Sequence, residues 1–376
     1  MIPVNTPLLN GNEKKYLEEC IETSWISSEG PFVKRFEKDM AEYVGRDHGI
    51  AVSSGSAALD VAVSALNLEK GAEVIAPTFT IISPIQSIIK AGLKPVLIDA
   101  DPQTFNINIS LMEEKISPKT KAILVVHIYG LPVDMDPILD LAKKYNLRII
   151  EDAAEVHGQT YKGKKCGSFG DISIFSFYPN KHITCGEGGM VLTDDDELAT
   201  RSRELRNLCF KGPRRFIHDD LGWNYRMTNM QAALGCAQLE NIEQAIKKKR
   251  RIGKLYNELI DPQYVQKPVI STDSADNIYW VYSLVVKENY LREEEFPADY
   301  FCKKLGELKI GTRPFFYPMH QQPIFHNMGL FSNEVHPVAE SISRRGFYLP
   351  SGLGITEEEQ VKVAEVCNEI SKSINS

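Results

Sequence analysis

From His48 to Phe177 short β-branched runs alternate with amphipathic helical stretches, and this alternation restricts the fold more than any other feature. The runs His48–Ser53, Glu73–Ala76, Pro95–Asp99, Lys121–Val126, Arg148–Glu151 and Ile172–Phe177 read as strands. Ala57–Leu66, Ile82–Ala91 and Asp134–Tyr145 read as helices between them. Strands joined through helices pair in parallel, so an α/β fold with a mostly parallel central sheet, helices on both faces, is expected. Met190–Thr193 adds a further strand and Asn229–Leu259 a long helical stretch. A mixture of strand (Ile278–Val286) and helix (Ala298–Leu308) follows, which suggests a smaller C-terminal α+β domain. Residues 1–245 are assigned to a large domain with an N-terminal arm and 246–376 to the small one.

Charge and cysteine usage narrow the function classes. The 43 Lys and Arg stand against 50 Asp and Glu, a net charge of −7, which argues against a general binder of nucleic acid or anionic membrane. The seven cysteines are scattered, with no CxxC pair, and no HExxH occurs, so neither a disulfide frame nor a metal site is expected. No signal peptide or membrane-length apolar run is visible, and a cytoplasmic protein is expected.

The chemistry concentrates after the strand Ile172–Phe177. Tyr178-Pro-Asn180 breaks it, Lys181 stands just beyond, and Gly186-Glu-Gly-Gly189 forms a backbone-permissive turn. In an α/β sheet ligands sit beyond the carboxyl ends of strands. A lysine enclosed there would have its amine pKa lowered, as covalent chemistry on a carbonyl requires. Asp152 ends the strand Arg148–Glu151, so its carboxylate and Lys181 can share a pocket. That pair suits pyridoxal 5'-phosphate, with the lysine on its aldehyde and the aspartate on its ring nitrogen. Ser53-Ser-Gly-Ser56 opens a helix, whose first N–H groups make a ready phosphate site; the same pattern also suits an ordinary capped helix.

These residues belong to a longer ordered set: Gly30-Pro31 with Phe36-Glu37, Ser54-Gly-Ser-Ala-Ala-Leu59, Glu73-Val-Ile-Ala-Pro77, His127-Ile-Tyr-Gly130, Glu151-Asp-Ala-Ala154, Phe175-Ser-Phe177, Lys181 with Gly186-Glu-Gly-Gly189, and Asn224-Tyr-Arg-Met227. Over nearly its whole length the chain resembles the DegT/DnrJ/EryC1/StrS sugar aminotransferases, which are fold-type I pyridoxal-phosphate transferases. The resemblance implies that Lys181 carries the cofactor, that Asp152 pairs with the pyridine nitrogen and that Glu155 lies near the ring hydroxyl. It puts Gly55, Ser56 and Ser176 at the phosphate, Ala57 among the cofactor contacts, and Ile81 where the family usually stacks an aromatic ring. Phe79, two residues earlier, is the aromatic side chain that could compensate. Asn224 matches a residue that reaches the neighbouring subunit's cofactor, implying a homodimer with shared active sites.

The partners implied are L-glutamate and a nucleotide-linked 4-keto-6-deoxy sugar aminated at C4. Arg226, Arg313 and the loop Lys211-Gly-Pro-Arg-Arg215 are candidates for its diphosphate, and Tyr317 and His320 for the sugar nucleotide. His320 reads equally as a structural histidine. Another acceptor (a dTDP- or UDP-linked ketosugar, or a small phosphorylated ketone), a dehydratase, and a non-catalytic regulator stay open. Retained lysine, where a related dehydratase has histidine, counts against the dehydratase.

Overall fold

A computed structural model describes residues 1–211, 214, 216–288 and 297–373. Nine strands come first: β1 His48–Val52, β2 Glu73–Pro77, β3 Lys94–Ile98, β4 Thr120–Val126, β5 Arg148–Asp152, β6 Thr160–Tyr161, β7 Lys164–Lys165, β8 Ile172–Ser176 and β9 Gly189–Thr193. All but β6 and β7, a small hairpin, form one sheet of order β1-β9-β8-β5-β4-β2-β3. β9 is antiparallel to both its neighbours, and the remaining pairs are parallel, so the other six strands run the same way. Their carboxyl ends therefore share one edge. The helices α1 Glu13–Glu22, α2 Pro31–Val44, α3 Gly55–Ala65, α4 Ile82–Lys90, α5 Met135–Tyr145, α6 Asp196–Arg206, α7 Asn229–Glu240 and α8 Ile242–Leu259 accompany it. Two apolar clusters bury its faces, one built around Val61, Val74 and Ile174, the other around Phe36, Ile75 and Phe175. Strands covered on both faces lose the polar alternation of a half-exposed sheet; β2 and β9 are buried throughout.

A second sheet, β10 Val265–Gln266, β11 Tyr282–Val286, β12 Arg313–Pro314 and β13 Gly346–Leu349, is ordered β10-β11-β13-β12 and antiparallel throughout. It packs with Tyr256 of α8 and with the helix Glu357–Ser373 in a third cluster. Among the described residues no helix is long and apolar enough to cross a membrane, and the seven cysteines are unpaired.

Three local departures from the sequence expectation have physical causes. The stretch Asn229–Leu259 is two helices, not one: α7 opens on a Thr228–Gln231 capping box and stops at Asn241, whose side chain bonds back to the Ala237 carbonyl. α3 begins at Gly55, two residues before the expected start, because Ser54 caps it by accepting the Ala57 N–H at 3.1 Å. Strand β11 begins only at Tyr282, because Tyr279 takes φ +51° and its N–H donates to Asn277 Oδ1 at 2.6 Å. This turn re-aims the chain at Trp280.

His127, Glu151 and Cys166 meet in the interior, yet their donor atoms are committed. His127 Nδ1 accepts the Val133 N–H at 3.0 Å, which leaves its Nε2–H to donate to Glu151 at 2.9 Å. Glu151 also accepts from the N–H groups of Gly167 (2.6 Å) and Phe169 (2.8 Å), and burial pushes the Cys166 thiol well up. We read this as a structural hub that ties β5 to the 166–169 loop. Glu151→Ala strands a buried imidazole and two amides, and should cost about 3 kcal/mol or more in urea unfolding. His127→Ala should not add its full separate cost in the double variant.

Candidate active site

The shared carboxyl edge of the large sheet opens into a cavity of about 350 Å³. Its walls include Asp152 from the end of β5, Ser176 from the end of β8 and Ser54 to Ser56 from the start of α3. Lys181 enters from the loop beyond β8. That loop is fixed along its length: the Lys181 N–H donates to the Tyr178 carbonyl at 2.9 Å, and Thr184 Oγ1 donates to the Phe177 carbonyl at 2.8 Å. Asn5 Nδ2 donates to Pro179 O at 2.8 Å and Trp280 Nε1 to Asn180 O at 2.8 Å. The Lys181 loop is thus held by residues far before and far after it in the chain.

Burial sets the charges. It pushes the Asp152 carboxyl up to about 6, against the pull of the Ala154 N–H (3.0 Å) and of the Lys181 charge. It raises Glu155 further, although Lys181 and the Tyr129 N–H (2.8 Å) favour the carboxylate. It lowers Lys181, with Glu155 and Asp152 opposing. His157, wedged against Phe175 and Phe177, is pushed down to about 3 and stays neutral. An amine and two carboxyls displaced this far from their ordinary values, facing one cavity, mark a site of chemistry.

The wall at the start of α3 is equally specific. The first N–H groups of α3 have no intrahelical partner, and Ser56 Oγ lies 2.7 Å from Ser83 Oγ. A Cβ on Gly55 would come within 2.6 Å of Ser176 Cβ, filling the space between them. Ala57 does not line the cavity, since its N–H is taken by the Ser54 cap. Ile81 lines it and is half exposed, at 50%. Phe79 does not compensate: it is buried among Tyr129, Phe105, Phe315 and Phe316. That packing keeps its ring out of the cavity lining.

Other expected residues stand outside this wall. Asn224 is exposed and pairs with Asn207, and Arg226 Nη1 donates to Asn207 Oδ1 at 2.5 Å. Arg313 is exposed beside the cavity-lining Tyr348, its partner in the β12–β13 register. Tyr317 is exposed. His320 is buried, with Nδ1 2.8 Å from Thr78 Oγ1 and Nε2 2.9 Å from Glu340 Oε1, so both nitrogens are spent on structure. Of the 211–215 loop, Lys211 pairs with Glu204 at 3.2 Å; Gly212, Pro213 and Arg215 lie outside the described residues. Trp280, Phe316 and Tyr348 supply walls that no local motif announces. They come from a bend before β11, from the loop after β12 and from within β13, far along the chain.

The sequence profile described as the DegT/DnrJ/EryC1/StrS aminotransferase family matches residues 7–368. The chain belongs to that family. It is 41% identical over 372 residues to the GDP-perosamine synthase of Escherichia coli O157:H7, covering 98% of each chain. It is 39% identical over 377 residues to the GDP-perosamine synthase of Vibrio cholerae, covering all of both. Among solved structures, an aminotransferase from Psychrobacter cryohalolentis superposes with a TM-score of 0.89 at 29% identity, covering 99% of each. A family of aminotransferases accounts for a buried amine beside a buried carboxyl.

The raised Asp152 has a consequence for the cofactor-free chain. The folded form holds a proton that the unfolded form has lost between pH of about 4 and about 6. This contribution to stability is complete below the unfolded value and is lost as pH rises through the folded one. Wild type should therefore lose stability over that window relative to Asp152→Asn, which thermal melts of both chains at pH 4.5 and 7 will show.

Proposed function

We propose that this family member is a pyridoxal-phosphate aminotransferase that moves the amino group of L-glutamate to C4 of a nucleotide-linked 4-keto-6-deoxy sugar. The observation that carries it is the placing of Lys181 and Asp152 on one cavity, with the α3 N-terminus on the same wall. Those residues fit the cofactor. Gly55, Ser56 and Ser176 leave a cradle for a phosphate, and buried Asn180 Oδ1 has no partner among the described residues. Once bound, pyridoxal phosphate supplies an aldehyde for the amine and a ring that withdraws electrons from the bond being broken.

The chain's own groups then divide the work. Lys181, with its pKa lowered by burial, can exist as a free amine able to hold and release a proton. Asp152 beside a pyridinium would meet a positive charge that its burial now denies it, and this would return it to the carboxylate. Glu155, held by the Tyr129 N–H, faces the same charges. Ile81 would offer the cofactor an aliphatic contact in place of an aromatic one, Trp280 presents its ring to the amine, and Phe316 and Tyr348 wall the cavity around it.

The identity to two GDP-perosamine synthases favours a GDP-linked acceptor. Arg313 beside Tyr348 and exposed Tyr317 remain our choices for its recognition, with Arg226 in reserve; we withdraw His320 from direct contact. A homodimer with shared sites is supported by exposed Asn224 and by large apolar side chains at the surface, among them Trp25, Phe216 and Leu221. A boundary near residue 245, inside α8, separates the sheet that carries Asp152 from the one that carries Tyr348. The unpaired cysteines fit a cytoplasmic setting.

Adding pyridoxal phosphate should produce a visible absorbance band that Lys181→Ala lacks, that L-glutamate bleaches and that GDP-4-keto-6-deoxymannose restores. Restoration by a dTDP- or UDP-linked ketosugar alone would keep the aminotransferase and discard the acceptor. Asp152→Asn should lower turnover by about a hundredfold or more, the scale of losing one preorganised electrostatic partner. No band in the folded wild-type chain would end the enzyme reading.

A further inference from the structure

Behind the cavity lies a buried lysine with no carboxylate partner among the described residues. Lys249, on α8, is 2% exposed, and its Nζ donates to the Trp280 carbonyl at 2.7 Å and to the Ser351 carbonyl at 2.6 Å. Burial alone pushes its amine down to about 7. A neutral amine still carries two N–H donors, one for each carbonyl, so both bonds survive loss of the charge.

Those two carbonyls belong to segments that build the site. Trp280 places its ring centroid 3.9 Å from Lys181 Nζ while its Nε1–H holds the Asn180 carbonyl, one residue before that lysine. Ser351 lies three residues beyond Tyr348, and its Oγ accepts the Tyr282 N–H at 3.1 Å. The Trp280 backbone has little other latitude. It follows Tyr279, at φ +51°, and a Cβ on Gly130 would come within 2.6 Å of the Trp280 nitrogen.

We infer that Lys249 is a positioning residue: by pinning the Trp280 carbonyl it seats the indole face against Lys181 and so sets the orientation and proton affinity of the reactive amine. The inference rests on the reading of Lys181 as the amine that takes the cofactor. An indole face attracts a cation, so the contact favours the protonated amine. Retracting the ring removes that attraction while Phe316 and Tyr348 still wall the cavity, so Lys181 should lose its proton at lower pH.

The test compares rates of acylation by trace acetic anhydride across pH, read by mass spectrometry on the full chain stripped of cofactor. Lys14, 89% exposed, is the internal reference. Lys249→Gln has two N–H donors on a side chain one bond shorter and should not reach both carbonyls. It should raise Lys181 labelling relative to Lys14, below the Lys181 midpoint, by about two- to fivefold. Trp280→Leu should do the same, and adding Lys249→Gln to Trp280→Leu should change nothing more. If Lys249→Gln does not fold, Lys249→Arg, longer and always charged, should also displace the indole and shift the ratio.

A merely structural lysine would lower the melting temperature and leave the Lys181:Lys14 ratio at its wild-type value. That result in a folded Lys249 variant would overturn the inference, as would an undiminished shift in the Trp280→Leu background. Failure of wild-type Lys181 to take up pyridoxal phosphate would overturn the reading of the pocket, and Lys249's bearing on catalysis with it. The labelling ratio, taken without cofactor, tells the two failures apart.

Discussion

Six strands of the large sheet point the same way, and the site follows from that constraint. Parallel pairing needs a crossover between strands, which buries both faces and sends each carboxyl end to a common edge. Asp152, Ser176 and Ser54 are far apart in sequence and meet because each closes a strand or follows one. The antiparallel β9 is the exception with a use. Its return from that edge makes room for the loop that carries Lys181, and it pairs with both β1 and β8.

The second constraint is the charge carried into this edge. Asp152, Glu155 and Lys181 are removed from water by the packing that the sheet demands, and Lys181 is the cation that favours both carboxylates. Partial compensation of this kind costs stability in the empty chain. A ligand with a cationic ring nitrogen and an anionic phosphate offsets both ends at once. Binding to the native state alone then stabilises the fold by mass action. The displaced pKa values and the proposed cofactor are thus two views of one imbalance.

What was legible in the sequence divides along the same lines. The sheet, the position of Lys181 beyond β8 and that of Asp152 at the end of β5 could be read because each sits in a local pattern: a β-branched run, a breaker, a Gly-rich turn. Ser54, Gly55 and Ser56 were legible as a helix start for the same reason. Trp280, Phe316 and Tyr348 were not, because a wall assembled across two sheets leaves no periodicity in either segment. Tyr279 shows the difficulty at its plainest. Ile278 to Val286 has the composition of one strand, yet an Asn277 side-chain bond turns the backbone through φ +51° before the strand can start. The break at Asn241 has the same origin, a short amide competing with the helix for backbone partners.

Phe79 and Ile81 carry that argument into specificity. On an extended segment, residues two apart share a face, so an aromatic at 79 looks able to replace one at 81. The segment is not extended: the chain bends over Thr78 to Thr80, between the end of β2 and the N-cap Ile81, and the period-two rule fails there. Phe79 then does other work, joining Tyr129 and Phe316 in the aromatic layer that backs the cavity. The position that the resemblance assigns to ring stacking is a half-exposed isoleucine, which offers area but no π face. On the proposed reading, the N-terminus of α3 and Asp152 would hold the cofactor's two ends, and Ile81 would offer its face an aliphatic contact.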